Sequence, residues 1–146
     1  MTAATLPGLA DLAAERRAHV QKRLETDVIA WLTTVRPSGQ PDSVPVWYLW
    51  ADAHILVYSR PNTPKLRNLA TNPRATVALD DTRAGFDVVR VEGEARHVPT
   101  HPALDALPDY VAKYADLMRR IGYGSPGDFA EDFSEAIVVT PTRLRA

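Results

Sequence analysis

Residues 42–74 constrain the fold more tightly than any other stretch, because two runs of strand-forming residues lead almost directly into a helix start. Val44, Val46, Trp47, Tyr48, Leu49 and Trp50 make one apolar and aromatic run, Ala51-Asp52-Ala53 turns the chain, and residues 54–59 make the second. Arg60-Pro61-Asn62 ends that strand. Thr63 is a favoured N-cap residue and Pro64 suits the first helical position, so residues 65–70 are expected as a short helix, stopped by Asn72-Pro73.

The charge of this helix start is unusual. Lys65 and Arg67 fall in the first turn, where free backbone N–H groups and the helix dipole favour an anion over a cation. A bound phosphate or carboxylate would reverse the penalty, with the Thr63 hydroxyl, backbone N–H groups and the Lys65 ammonium forming a compact cradle. The competing reading is a solvated basic helix end, whose dipole cost of about 0.3–1 kcal/mol is easily tolerated. Residue types alone leave both open.

The rest of the chain supplies more strands and a few helices. Residues 9–25 repeat Leu9, Leu12, Ala13, Val20 and Leu24 at helical steps among charged residues and predict an N-terminal surface helix. Residues 28–35 read as a strand, joined antiparallel through the turn at 36–41 to a strand over 43–50. A further strand is expected at 75–80, then a turn at 81–85. Residues 86–97 alternate Val89, Val91, Gly93 and Ala95 against Arg90, Glu92, Glu94 and Arg96. After a proline-broken stretch at 99–108, residues 109–121 carry a helical stripe of Val111, Tyr114, Ala115, Met118 and Ile121. Gly122 ends that helix, Ser125 caps another, and residues 136–140 form a last strand. The expected fold is therefore mainly β with peripheral helices: six or so antiparallel strands in one domain over 1–146, closed or nearly closed so that few edges are exposed.

Composition narrows the function by exclusion. A net charge of −1 over 146 residues provides no field for bulk nucleic-acid attraction, and the absence of cysteine removes disulfides, thiolate metal sites and a cysteine nucleophile. No run approaches a membrane span and the N-terminus lacks a secretory pattern, so a cytoplasmic location is expected. The glycines at 122, 124 and 127 spell a nominal dinucleotide fingerprint but follow a helix where a strand is required, which makes them a helix end and a turn. His97 and His101 have a metal-like spacing only on a shared helix, which Pro99 and Pro102 oppose, so no metal site is expected. The serines lack a hydrolase signature.

Tyr58-Ser59, Thr63-Pro64-Lys65 and Asn72-Pro73 resemble the pattern of the pyridoxamine 5′-phosphate oxidase-like split β-barrel superfamily. Trp31-Leu32-Thr33-Thr34-Val35, Pro45-Val46-Trp47-Tyr48-Leu49-Trp50, Val57-Tyr58-Ser59-Arg60-Pro61, Lys65-Leu66-Arg67 and Tyr110-Val111-Ala112-Lys113-Tyr114 resemble, more narrowly, an actinobacterial branch that uses the deazaflavin coenzyme F420. The resemblance implies a homodimer with cofactor sites at the subunit interface and a cofactor held by Val46, Trp47, Tyr48, Tyr58, Ser59, Arg60, Thr63, Pro64, Lys65 and Arg67. Ser43 and Pro64 stand where the FMN oxidases of this superfamily typically carry arginines around the phosphate, while Lys65 is retained. Fewer cations suit a terminal phosphate less than the phosphodiester and polyglutamyl tail of F420, which Arg60, Arg67 or Arg74 could reach. The resemblance therefore implies an F420-dependent oxidoreductase acting on a small conjugated or heterocyclic substrate. An FMN-binding flavoprotein and a non-catalytic carrier of F420, flavin or a tetrapyrrole are the alternatives. No catalytic proton donor is identified.

Overall fold

The computed structural model describes residues 5–81 and 84–146; two residues of the turn expected at 81–85 lie outside these. Among the described residues seven strands form one antiparallel sheet: β1 (Ala30–Val35), β2 (Pro41–Val46), β3 (Leu49–Ala51), β4 (His54–Ser59), β5 (Arg74–Leu79), β6 (Arg90–His97) and β7 (Glu135–Arg145). Their spatial order is β2-β1-β5-β6-β7-β4-β3. Four α-helices among the described residues flank them: α1 (Ala14–Thr26), α2 (Pro64–Thr71), α3 (Pro108–Arg120) and α4 (Pro126–Asp132). No described helix is long and apolar enough to cross a membrane.

The strand order contains the closure of the barrel. β2 ends at Val46 on one edge of the sheet and β3 begins at Leu49 on the other. Three extended residue steps span only about 10–11 Å, so the two edges must meet at Trp47 and Tyr48 and the sheet must curl. The strand expected over 43–50 is therefore two strands, broken where the chain passes between edges. The hairpin after it forms as expected, with Asp52 and Ala53 both at positive φ, the geometry of a two-residue turn.

The seam leaves backbone groups of Tyr48 without ladder partners, and α3 supplies them, while α1 takes the side-chain hydroxyl. Tyr48 N–H donates to the Tyr114 hydroxyl at 2.9 Å, and that hydroxyl donates to the Val28 carbonyl at 2.6 Å. Lys113 Nζ donates to the Tyr48 carbonyl at 2.9 Å and lies 3.9 Å from the Tyr48 ring centroid. The Tyr48 hydroxyl donates to the Leu24 carbonyl at 2.8 Å. α1 is itself held by charge: Asp87 accepts from Arg16 at 2.6 Å and contacts His19 at 2.8 Å and Arg23 at 3.2 Å. Burial opposes ionisation of Asp87, but these partners outweigh it and hold its carboxyl well below the usual range.

Two cores result. Inward residues of alternating strands, among them Leu32, Val77, Val91, Val57 and Ile137, fill the barrel with Val20 and Leu24 of α1. On the outer face Leu56, Tyr58 and Ala136 lie under Tyr110, Tyr114 and Met118 of α3 and Phe129 of α4. Covered on both faces, β4 is buried at every residue from Ile55 to Ser59, which is why it reads as a continuous apolar run.

Several boundaries differ from expectation for identifiable reasons. The N-terminal helix begins at Ala14 rather than 9, because Leu9 lies in a 3₁₀ turn and Leu12 is extended, and both still pack on the barrel core. In α3 Tyr114 and Met118 are buried as expected, but the larger Tyr110, not Val111, takes the core position one turn before them. Ile121 lies beyond the helix and is 57% exposed. β7 runs on through Pro141, whose missing N–H is accommodated at a register shift opposite Glu92 and Gly93. A Cβ on Gly93 would come within 2.5 Å of the Thr140 carbonyl oxygen there.

Tyr114→Phe should cost about 1–3 kcal/mol in urea unfolding, because it strands a buried N–H and a carbonyl at the seam. Lys113 provides a pH test. Desolvation lowers its pKa from 10.5 to about 8, so between these values the unfolded chain holds a proton that the folded chain has shed. Stability should therefore rise with pH across that window and fall above about 10, where the buried hydroxyls of Tyr48, Tyr110 and Tyr114, all raised by desolvation, keep protons the unfolded chain loses. Lys113→Met should flatten the rise, measured as urea midpoints at several pH values.

Candidate functional site

The β4–α2 connection builds the site. The strand ends in buried Tyr58 and Ser59, the chain turns through Asn62 at φ 61°, and Thr63 and Pro64 start α2. α2 is fixed to the barrel by buried Leu69 and by Asn68, whose side-chain amide donates to the Thr34 hydroxyl at 3.0 Å. Asn68 lies one turn after Lys65, so its anchoring fixes where Lys65 emerges.

Thr63 occupies the N-cap position, but its hydroxyl makes no cap and lies 2.9 Å from Ser59 Oγ. Ser59 has one hydroxyl proton and gives it to the Arg60 carbonyl at 2.7 Å, so Thr63 is the donor in the pair. The first intrahelical donor is Arg67 N–H to the Thr63 carbonyl, at 3.2 Å. The preceding N–H groups of Lys65 and Leu66 precede the helical ladder, and Pro64 has none.

Lys65 is the distinctive group. Its ammonium is half-buried, has no hydrogen-bond or ion-pair partner among the described residues, and has its pKa lowered by desolvation. It borders a cavity of about 330 Å³ whose walls are otherwise apolar and aromatic. Val46 and Trp47 from the seam, Tyr58 from β4, and Tyr110, Phe129 and Phe133 from the helical side form most of that wall. Trp47 stacks on Tyr114 at 4.7 Å and on Phe129 at 5.0 Å, and Phe129 stacks on Phe133 at 4.3 Å. A single desolvated cation in an aromatic cavity suits a planar ligand with an anionic end.

The structure thus brings Val46, Trp47, Tyr58 and Lys65 to one cavity, with Ser59, Thr63 and Pro64 in the connection that sets Lys65. Tyr48 is placed elsewhere: its ring is fully buried and its hydroxyl points to α1. Arg67 donates to the Asn62 carbonyl, bracing the loop at 2.6 Å. Arg60 turns to α4, where it lies 3.6 Å from Asp132 and 4.7 Å over the Phe133 ring. Sequence reasoning missed Tyr110, Phe129 and Phe133. The last two sit four apart just after the Ser125 cap, whose hydroxyl accepts from Asp128 N–H, and that amphipathic spacing was the available signal. Tyr58 donates to the Pro102 carbonyl at 2.6 Å and is pushed up by burial to about 12, so it stays protonated near neutrality.

A larger cleft of about 600 Å³ opens between α1 and the end of β5. It is lined by His19, Arg23, Asp27, Asp80 and Asp87, and the Asp87 pairs within it dock α1 on the barrel. The aromatic cavity, with its unpaired cation, is the better candidate.

With this geometry the relatives can be placed. Residues 17–146 match the family model described as pyridoxamine 5′-phosphate oxidase. The chain belongs to the pyridoxamine 5′-phosphate oxidase family. Its split barrel matches an F420 reductase at 25% identity and a TM-score of 0.61, covering 86% of this chain and 94% of that one. It matches an FAD-binding protein from Mesorhizobium loti at 21% identity and a TM-score of 0.63, covering 91% and 92%. It also matches HutZ, a heme storage protein from Vibrio cholerae, at 16% identity and a TM-score of 0.61, covering 88% and 92%. No curated protein matches the chain. At such identities the likeness to the latter two is one of fold.

Lys65→Met should raise the stability of the protein by up to about 1 kcal/mol, because it replaces an unpaired, partly desolvated charge with an apolar side chain of similar length. The gain, read from the urea midpoint, is small because the ammonium keeps part of its hydration.

Proposed function

We propose that this chain is an oxidoreductase that binds coenzyme F420 and transfers hydride between the deazaflavin and a small conjugated or heterocyclic substrate. The observation that carries the reading is the unpaired, half-buried Lys65 ammonium at the edge of an aromatic cavity. Lys65, with the N–H groups that open α2, would hold the anionic group of the cofactor. Trp47 and Tyr58 would orient the ring, and Phe129 and Phe133 would keep water from it. When bound, reduced deazaflavin supplies a hydride that adds to an electron-poor carbon of the substrate. The proton that follows comes from solvent in this reading, since the Tyr58 hydroxyl is held protonated and already bonded to Pro102.

Two features favour F420 over FMN. The connection offers a single unpaired lysine where a terminal phosphate dianion would favour several cations. The F420 reductase is also the most similar in sequence of the three structures compared. The same reading carries a cytoplasmic homodimer with the cofactor between subunits, and the 41% exposure of Trp31 on β1 supports an apolar contact there.

The test is a side-by-side fluorescence titration of the purified protein with F420, FMN and haemin, with bound stoichiometry and molar mass measured together. Tight F420 binding at one per chain in a dimer, weakened at least about tenfold by Lys65→Ala with the fold intact, is the expected result. Preference for FMN moves the assignment to a flavoprotein. Binding of haemin alone, or of F420 without substrate-dependent oxidation, moves it to a carrier.

A further inference from the structure

Arg60 stands three residues before the Thr63 N-cap of α2, yet its guanidinium is engaged on α4. Its terminal nitrogens lie 3.6 Å from Asp132 and 3.3 Å from the Tyr123 hydroxyl. Tyr123 donates to the same Asp132 oxygen at 2.8 Å, so that one carboxylate organises both partners. The hydrogen bond to Asp132 is the main cause raising the Tyr123 pKa, with burial second. The guanidinium also lies 4.7 Å over Phe133, whose ring walls the cavity and stacks on Phe129. The cluster thus joins the loop that sets Lys65 to the aromatic wall.

Both charged partners are about half exposed, at 54% and 46%, so their attraction is weak and readily exchanged for another anion. The Arg60 carbonyl accepts from Ser59, fixing the backbone of the loop while the side chain remains movable. A phosphate at Lys65 would therefore compete with Asp132 for Arg60, a cation five residues earlier at the start of the same connection. Only a ligand with more negative charge than Lys65 neutralises gains from drawing Arg60 away.

We propose that Asp132 is a specificity-determining residue of the anion cradle, holding Arg60 on α4 so that only ligands bearing more than one negative charge recruit it. The proposal rests on the cofactor reading above for the identity of the ligand, but its charge logic applies to any anion. Asp132 acts through Arg60 and is not a catalytic residue. Movement of Arg60 off Phe133 also transmits ligand charge to the wall around the ring.

The experiment compares wild type, Asp132→Asn, Asp132→Glu, Arg60→Gln and the Arg60→Gln/Asp132→Asn double variant. The probes are inorganic pyrophosphate, which has charge and no ring, riboflavin, which has a ring and no phosphate, and FMN and F420, which have both. Asp132→Asn should tighten pyrophosphate, FMN and F420 by roughly two- to fivefold and leave riboflavin unchanged. Asp132→Glu should behave as wild type, and the double variant should match Arg60→Gln. The latch is overturned if Asp132→Asn leaves pyrophosphate protection against heat unchanged, if riboflavin tightens equally, or if the gain persists without Arg60. Tight F420 binding indifferent to Asp132 overturns the latch and spares the cofactor reading. A charge effect seen with pyrophosphate, while FMN and F420 bind no better than pyrophosphate, supports the latch and overturns that reading.

Discussion

The two-residue passage between opposite edges of the sheet is the constraint on which the molecule depends. Because Val46 and Leu49 cannot separate by more than about 11 Å, the sheet closes there or not at all. A barrel closed by a chain passage rather than by ladder bonds leaves N–H and carbonyl groups that must find other partners. Tyr114 and Lys113 provide them for Tyr48. α3 is for this reason part of the barrel's closure, and its hydroxyl and ammonium do at the seam what a neighbouring strand does elsewhere.

That arrangement also explains where a ligand site can form. Trp47 is released from the strand ladder at the seam, and its ring leaves the barrel to stack on Tyr114 and Phe129. The second core is thereby built around a break in the sheet, and its open side is the aromatic cavity. The same α3 residue, Tyr114, bonds the seam backbone and stacks on the indole. Closure of the barrel and shape of the cavity are consequently one structural problem, with one solution in α3.

The sequence disclosed the parts of this design that depend on local chemistry. The Ala51-Asp52-Ala53 hairpin, the Thr63-Pro64 helix start, the Gly122 helix end and the Ser125 cap are set by residues a few positions apart, and each formed where local rules place it. What was illegible depends on distance. Nothing within residues 43–50 says that the run must break at 47–48; the break follows from which edges those residues reach in the finished sheet. Tyr48 reads as a ring to flank a cofactor, and only the docking of α1 makes it a core residue bonded to Leu24. Phe129 and Phe133 join the cavity from more than 60 residues beyond Lys65, and Arg60 belongs to α4 only because Asp132 faces it.

The hydrogen-bond pattern of the β4–α2 connection bears on how selective such a cradle can be. A hydroxyl binds an anion only with its proton, and here the Ser59 proton goes to the Arg60 carbonyl while the Thr63 proton goes to Ser59. Both hydroxyls therefore hold the loop in shape, and neither has a proton to spare for a ligand in this pattern. In the proposed cradle, recognition would fall to the Lys65 ammonium and to N–H groups whose positions are set by the backbone and by Asn68 on Thr34. A fixed array with one mobile cation held in reserve reads charge more strictly than an adaptable ring of hydroxyls, because nothing in it can reorganise to satisfy a neutral group.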